Sequence, residues 1–168
     1  MRAIHRIVAP PAPGSPPLGG MSIYDVTKTP PDPEWSRSWA VTEALIRALR
    51  VDVEKTGARF AVAVMPSREA VVPAAWKNLG RLLPAFETVP RDPAYPVTRV
   101  TAFLQKEGID YVNLLPPLKS AAERTDETGF FGWDIHLDAA GHVVLAEALG
   151  PIVTRLLQTP LSRCPPAR

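Results

Sequence analysis

The sequence predicts an α/β fold with a parallel sheet, and three observations carry that prediction. Two short apolar runs, Phe60-Ala61-Val62-Ala63-Val64-Met65 and Tyr111-Val112-Asn113-Leu114-Leu115, lack the alternation of a half-exposed strand. Each suits a strand buried on both faces, as in parallel sheets. Stretches with apolar residues three and four apart stand before, between and after these runs, which is the helical period. Both runs stop at proline, Pro66 and Pro116-Pro117. Helix alternating with buried strand winds into a sheet through right-handed crossovers.

Taken in chain order, the first helix starts near Ser36 or Ser38, either of which is a good N-cap. Trp39, Thr42, Leu45, Ile46, Leu49 and Val53 then share one face, and Gly57 supplies the residue that ends the helix. The first strand follows. After Pro73, Ala74 to Leu83 carry Trp76, Leu79, Leu82 and Leu83 at helical spacing. A further helix runs from about Val97 to Glu107 and ends at Gly108, and the second strand comes next. A short helix is expected from about Leu118 to Glu123. The last helix begins at Asp138, a natural N-cap, and is expected to bury Val144, Leu145, Leu149, Ile152, Leu156 and Leu157 with an interruption at Gly150-Pro151.

Both ends differ from this middle. The 168 residues include 20 prolines, of which eight precede Glu34 and three lie in the last nine positions, against an average near 5%. The expected organisation is a Pro-rich, disordered leader over 1–34, a folded part over 35–158 and a disordered tail over 159–168. The leader has only Ile7-Val8-Ala9 as an apolar stretch, shorter than the ~7–15 residues of a secretory signal. No compartment follows from it. A net charge of +2, from 19 basic and 17 acidic side chains, gives no basic patch for nucleic acid. No apolar stretch approaches the ~18 residues of a membrane span, so no bilayer crossing is expected. Cys164 is the single cysteine, which excludes an internal disulfide and a cysteine-rich metal site.

Two buried parallel strands are too few. They leave two open edges and cannot be covered on both faces by so few helices. The expectation is therefore part of a sheet, completed by an N-terminal half absent from this reading frame or by another copy of the chain.

Reactive side chains concentrate in one place, Trp133-Asp134-Ile135-His136-Leu137-Asp138-Ala139-Ala140-Gly141-His142. This segment enters the final helix, and such loops at the carboxyl edge of a sheet are where α/β proteins hold functional groups. A carboxylate two residues from an imidazole can hold one ring nitrogen so that the other accepts a proton from a nucleophile. A structural hydrogen bond between the two is the simpler alternative.

The pattern Asp-x-His-Leu-x-x-x-Gly-His leading into an Ala/Leu helix resembles the C-terminal block of the SGNH (GDSL-type) hydrolases. The resemblance extends over roughly Trp35 to Leu157, with the specific motif confined to the last block. It implies a three-layer α/β/α, flavodoxin-like sandwich with a parallel sheet, of which this chain holds the later half. It implies hydrolysis of ester-linked acyl groups, in a small molecule or a polysaccharide, without metal or organic cofactor. His136 would be the general base and Asp134 its orienting partner, with Trp133 and Phe131 lining a substrate cleft. Three departures accompany it. No Gly-Asp-Ser nucleophile motif occurs; Asn78 and Asn113 are not in an Asn-Asp pair; and Asp-x-His replaces the commoner Asp-x-x-His. The shorter spacing resembles the branch that acts on acyl groups of cell-envelope polysaccharides, acetyltransferase-like proteins among them. The chain alone is therefore expected to be inactive. Ser67, at the end of the first apolar run, lacks the Gly-x-Ser-x-Gly elbow of an exposed nucleophile and reads as an N-cap or turn serine.

Two other readings stand beside this one. Asp134, His136, Asp138 and His142 offer metal-ligand types within nine residues, although Asp138 is accounted for as a helix cap and the spacing is not that of a zinc helix. A non-catalytic remnant or binding module would use Trp35, Trp39, Trp76 and Trp133 to stack on sugars or acyl chains, while Trp39 and Trp76 also fit the apolar helical faces of a core.

Overall fold

The computed structural model describes residues 23–82, 86, 88–124, 128–132 and 134–158. Leu83, Trp133, Cys164, most of the leader and the expected tail fall outside them. The chain is mixed α/β and mostly helical, with one small parallel sheet.

Folded structure begins before Trp35. Ile23–Thr27 is a 3-10 helix with Asp25 and Thr27 buried, so the part assigned to the leader over 23–34 belongs to the fold. What fixes it is Arg91. The buried guanidinium donates to Asp25 Oδ1 at 2.7 Å, to the Tyr24 carbonyl at 2.8 Å and to the Phe86 carbonyl at 3.2 Å. It also lies over the Phe86 ring. Lys28 bridges to Arg91, and Thr29 and Asp92 exchange backbone hydrogen bonds with Pro90 and Thr27. The carboxyl of Asp25 is pushed up by burial. Hydrogen bonds from Arg91 and Lys28, with their positive charges, outweigh that and hold it below the ordinary carboxylate value.

Helix α1 spans Pro33–Lys55 and is capped by Asp32, whose side chain accepts from the Trp35 N–H at 2.9 Å. The expected serine caps give way because Asp32-Pro33 pairs a capping carboxylate with a proline preset for the first helical position. Ser38 Oγ instead donates to the Glu34 carbonyl within the helix. Gly57 follows the end with φ of 79°. Strand β1 is Ala61–Val64, and α2, Arg68–Val71, is a short helix the periodicity did not indicate. Helices α3, Pro73–Leu82, and α4, Tyr95–Lys106, come next, and Gly108 closes the latter with φ of 61°.

Strand β2, Asp110–Asn113, pairs with β1 in parallel register, Ala61 opposite Asp110 and Val64 opposite Asn113. Val62, Val64 and Tyr111 contribute to a cluster with Val97, Phe103 and Leu104 of α4, Ile109 and Ile46 of α1. Val112, on the other face, joins a second cluster of Val71, Leu114, Leu118, Phe130 and Leu137. Two-residue alternation in the strands thus feeds two cores from one sheet.

Helix α5, Leu115–Arg124, starts three residues earlier than expected. Pro116 and Pro117, read as strand terminators, occupy its first turn, where a missing N–H costs nothing because it has no helical partner there. The final helix, α6, is Ala139–Gln158 and runs unbroken through Gly150-Pro151. Buried Ile152 and an Arg155–Asp110 ion pair at 2.7 Å hold the half beyond the proline against β2. Unbroken, α6 is 20 residues with an 18-residue window of mean hydropathy 1.3, enough by length and composition alone to cross a membrane. Leu157 is exposed rather than buried, as are Leu45 and Leu49 of α1.

Candidate functional site

The segment between α5 and α6 is pinned at both ends and presents its middle to solvent. Phe130 and Leu137 pair in an isolated antiparallel bridge, and both side chains are buried in the second core. Phe131 N–H donates to the His136 carbonyl, and Asp134 N–H to the Phe131 carbonyl. Below the loop, Asp138 N–H donates to the Gly129 carbonyl at 3.1 Å, and Asp138 Oδ1 caps α6 by accepting from Gly141 N–H at 2.8 Å. Gly129, with φ of 75°, and Gly141 meet backbone to backbone; a Cβ on Gly141 would run into the Gly129 carbonyl oxygen. The glycine of the Leu-x-x-x-Gly pattern is therefore required where loop and helix cross.

Asp134 and His136 are brought together on this loop. His136 Nδ1 lies 2.8 Å from Asp134 Oδ1, which also accepts from the Ile135 N–H. The imidazole contact, followed by the Ile135 hydrogen bond, holds the Asp134 carboxyl below the ordinary value. An ionised carboxylate only accepts, so Nδ1 carries the proton and Nε2 is left as the basic nitrogen. The two side chains are 74% and 39% exposed. Among the described residues no hydroxyl hydrogen-bonds to Nε2.

Other candidates are occupied elsewhere. Ser67 caps α2 by accepting from Ala70 N–H, and Ser120 Oγ accepts from Arg124. Asn113 Oδ1 accepts from Leu115 N–H at the start of α5. Among the described residues no three His, Cys, Asp or Glu side chains are grouped to hold a metal ion. His142 is exposed one turn into α6, and Asp138 is spent on its cap.

Beside the loop lies a cavity of about 490 Å³. Its floor is the carboxyl end of β1 and the turn Met65 to Glu69; Trp39, Trp76 and the first turns of α4 form its sides, and the 3-10 helix covers it. Ile135, between the Asp and the His, completes the wall. Phe131 is exposed and does not line this cavity, and Trp133 lies outside the described residues. The aromatic groups that do line it, Tyr24, Trp39 and Trp76, were legible as core positions or lay in the supposed leader. The available signal was Pro66, which marks the carboxyl edge of a parallel strand, the side on which α/β proteins bind ligands. A separate groove along α1 and α4 is bordered by the Arg99–Glu43 and Arg47–Glu107 ion pairs, whose charges are already matched. Comparison of the chain with protein-family models, curated proteins and solved structures finds no match.

Proposed function

We propose that this chain is the later part of an SGNH-type ester hydrolase domain, in which Asp134 and His136 serve a serine that the chain does not supply. The observation carrying the reading is the 2.8 Å contact between His136 Nδ1 and an ionised Asp134, which sets Nε2 as a proton acceptor at the sheet edge where ligands bind. In the reaction, Nε2 takes the proton of the serine hydroxyl as Oγ bonds to the ester carbonyl carbon. It returns that proton to the departing alcohol, and water then releases the acyl group by the same relay. The substrate is a small-molecule or polysaccharide acyl ester, and the chemistry needs no metal or organic cofactor.

The finer architecture belongs to the same proposal, a three-layer flavodoxin-like sandwich holding more strands than these two. Both outer sheet edges are open among the described residues. Helix α1 packs on the same cluster as α4, the crossover helix between β1 and β2. On that reading, right-handed winding puts a further strand, upstream of the 3-10 helix, on the free edge of β1. Exposed Val41, Leu45 and Leu49 on α1, Val143, Val153 and Leu157 on α6, and Ala63 within β1 are the surfaces such additional layers would cover.

A second reading, a module that binds acyl compounds without turning them over, is favoured by the apolar cavity and the exposed imidazole. Hydrolysis of p-nitrophenyl acetate separates the two, measured on this chain and on the chain extended into the upstream reading frame. Turnover by the extended form that disappears in His136→Ala supports the hydrolase; absence of turnover in both leaves the binding module.

A further inference from the structure

The cavity at the carboxyl end of β1 has a volume within the roughly 300–1,000 Å³ of small-molecule sites, at about 490 Å³, and its walls are largely apolar. Val26, Trp39, Val64, Trp76 and Val100 supply them. Such a surface favours an alkyl or aryl group, since taking apolar surface out of water is favourable in proportion to the area buried. Among the described residues two charged side chains line it, Arg68 and Glu69. Both are half-buried, neither is ion-paired, and Arg68 Nε is a buried donor with no hydrogen-bond partner among the described residues. Buried polar groups are ordinarily satisfied, so this arrangement lacks an acceptor opposite Arg68, and the neighbouring Glu69 offers a carboxylate that a hydroxyl can donate to.

We infer that the cavity binds an uncharged amphiphile, an acyl or aryl group attached to a hydroxylated head. The apolar part occupies the space between Trp39 and Trp76. The head places a carbonyl or ether oxygen toward Arg68 and a hydroxyl toward Glu69. A free carboxylate would set a like charge against Glu69, and an ammonium would set one against Arg68; opposite charges side by side select the neutral, dipolar head. As a binding site this stands independently of catalysis. As the substrate class of the Asp134–His136 pair it rests on the hydrolase reading, and Ile135 is the physical link, lining the cavity from the residue between the two.

Calorimetric titration of the full chain with 1-octanoylglycerol, octanoate and octylammonium, each below its micelle concentration, tests the inference. Saturable one-to-one binding of octanoylglycerol is expected, with the two charged ligands at least tenfold weaker. Met65→Trp, at an exposed position on the cavity wall, should fill the space and weaken octanoylglycerol at least tenfold while the far-ultraviolet circular dichroism stays unchanged. His136→Ala should leave binding intact, so failure of the hydrolase reading and failure of this one are separable. No saturable binding by a folded chain, or binding indifferent to Met65→Trp, overturns the site. Octanoate or octylammonium binding as tightly as octanoylglycerol overturns the neutral head.

Discussion

At the scale of single residues, two carboxylates are held ionised for different reasons. Asp134 is exposed, and its imidazole partner with the Ile135 N–H favours its charged form. A carboxyl-detected NMR titration should therefore place its midpoint below the ordinary value of about 3.9. In His136→Ala it should rise toward that value, with the Ile135 hydrogen bond keeping part of the depression. Asp25 is buried against Arg91 and Lys28 and is likewise depressed. Its contribution to stability is thus fully present above the ordinary carboxylate pKa and is lost as pH falls through its lower folded value. Arg91→Ala should cost about 2–4 kcal/mol at neutral pH, since it leaves buried Asp25 with Lys28 as its remaining charged partner and takes the donor from the Tyr24 and Phe86 carbonyls. Urea denaturation at pH 7 and pH 3 checks both points, because the penalty should shrink in acid as Asp25 protonates. The Asp-x-His pair was legible from spacing. The Asp25–Arg91 pair was not, because its partners lie 66 residues apart and no local pattern joins them.

At the scale of elements, proline and glycine carried different meanings in different places. Pro66 does end β1, but Pro116-Pro117 opens α5 and Pro151 sits inside α6. A proline in a helix interior loses one hydrogen bond and costs about 3 kcal/mol, so Gly150-Pro151 reads locally as a break although α6 continues through it. The strands were legible as short apolar runs stopped by proline, and the cores of α3 and α4 by their three- and four-residue spacing. The 3-10 helix was hidden in a proline-rich stretch. Gly141 is the element-level test of the loop. Gly141→Ala should destabilise the chain by at least the roughly 1–3 kcal/mol of a strained insertion, because the added Cβ meets the Gly129 carbonyl. An unchanged urea midpoint would mean that loop and helix part without cost and that the loop geometry is not fixed by this crossing.

At the scale of the whole molecule, a two-stranded parallel sheet stands beside a loop whose ion-paired imidazole is open to solvent. Among the described residues, one face of α1 and one of α6 expose apolar side chains, β1 and β2 have no outer neighbours, and no hydroxyl hydrogen-bonds to Nε2 of His136. Open strand edges and exposed apolar faces are what proteins ordinarily cover. The missing nucleophile and the missing strands are one deficiency on the proposed reading, because the serine of an SGNH-type site follows the first strand of its sheet. The most direct test is hydrolysis of p-nitrophenyl acetate by this chain and by its upstream-extended form, each with and without His136→Ala. Activity confined to the extended form and abolished by the substitution is the predicted result. Substantial turnover by the 168-residue chain alone, or an extended form whose activity survives loss of His136, would contradict it.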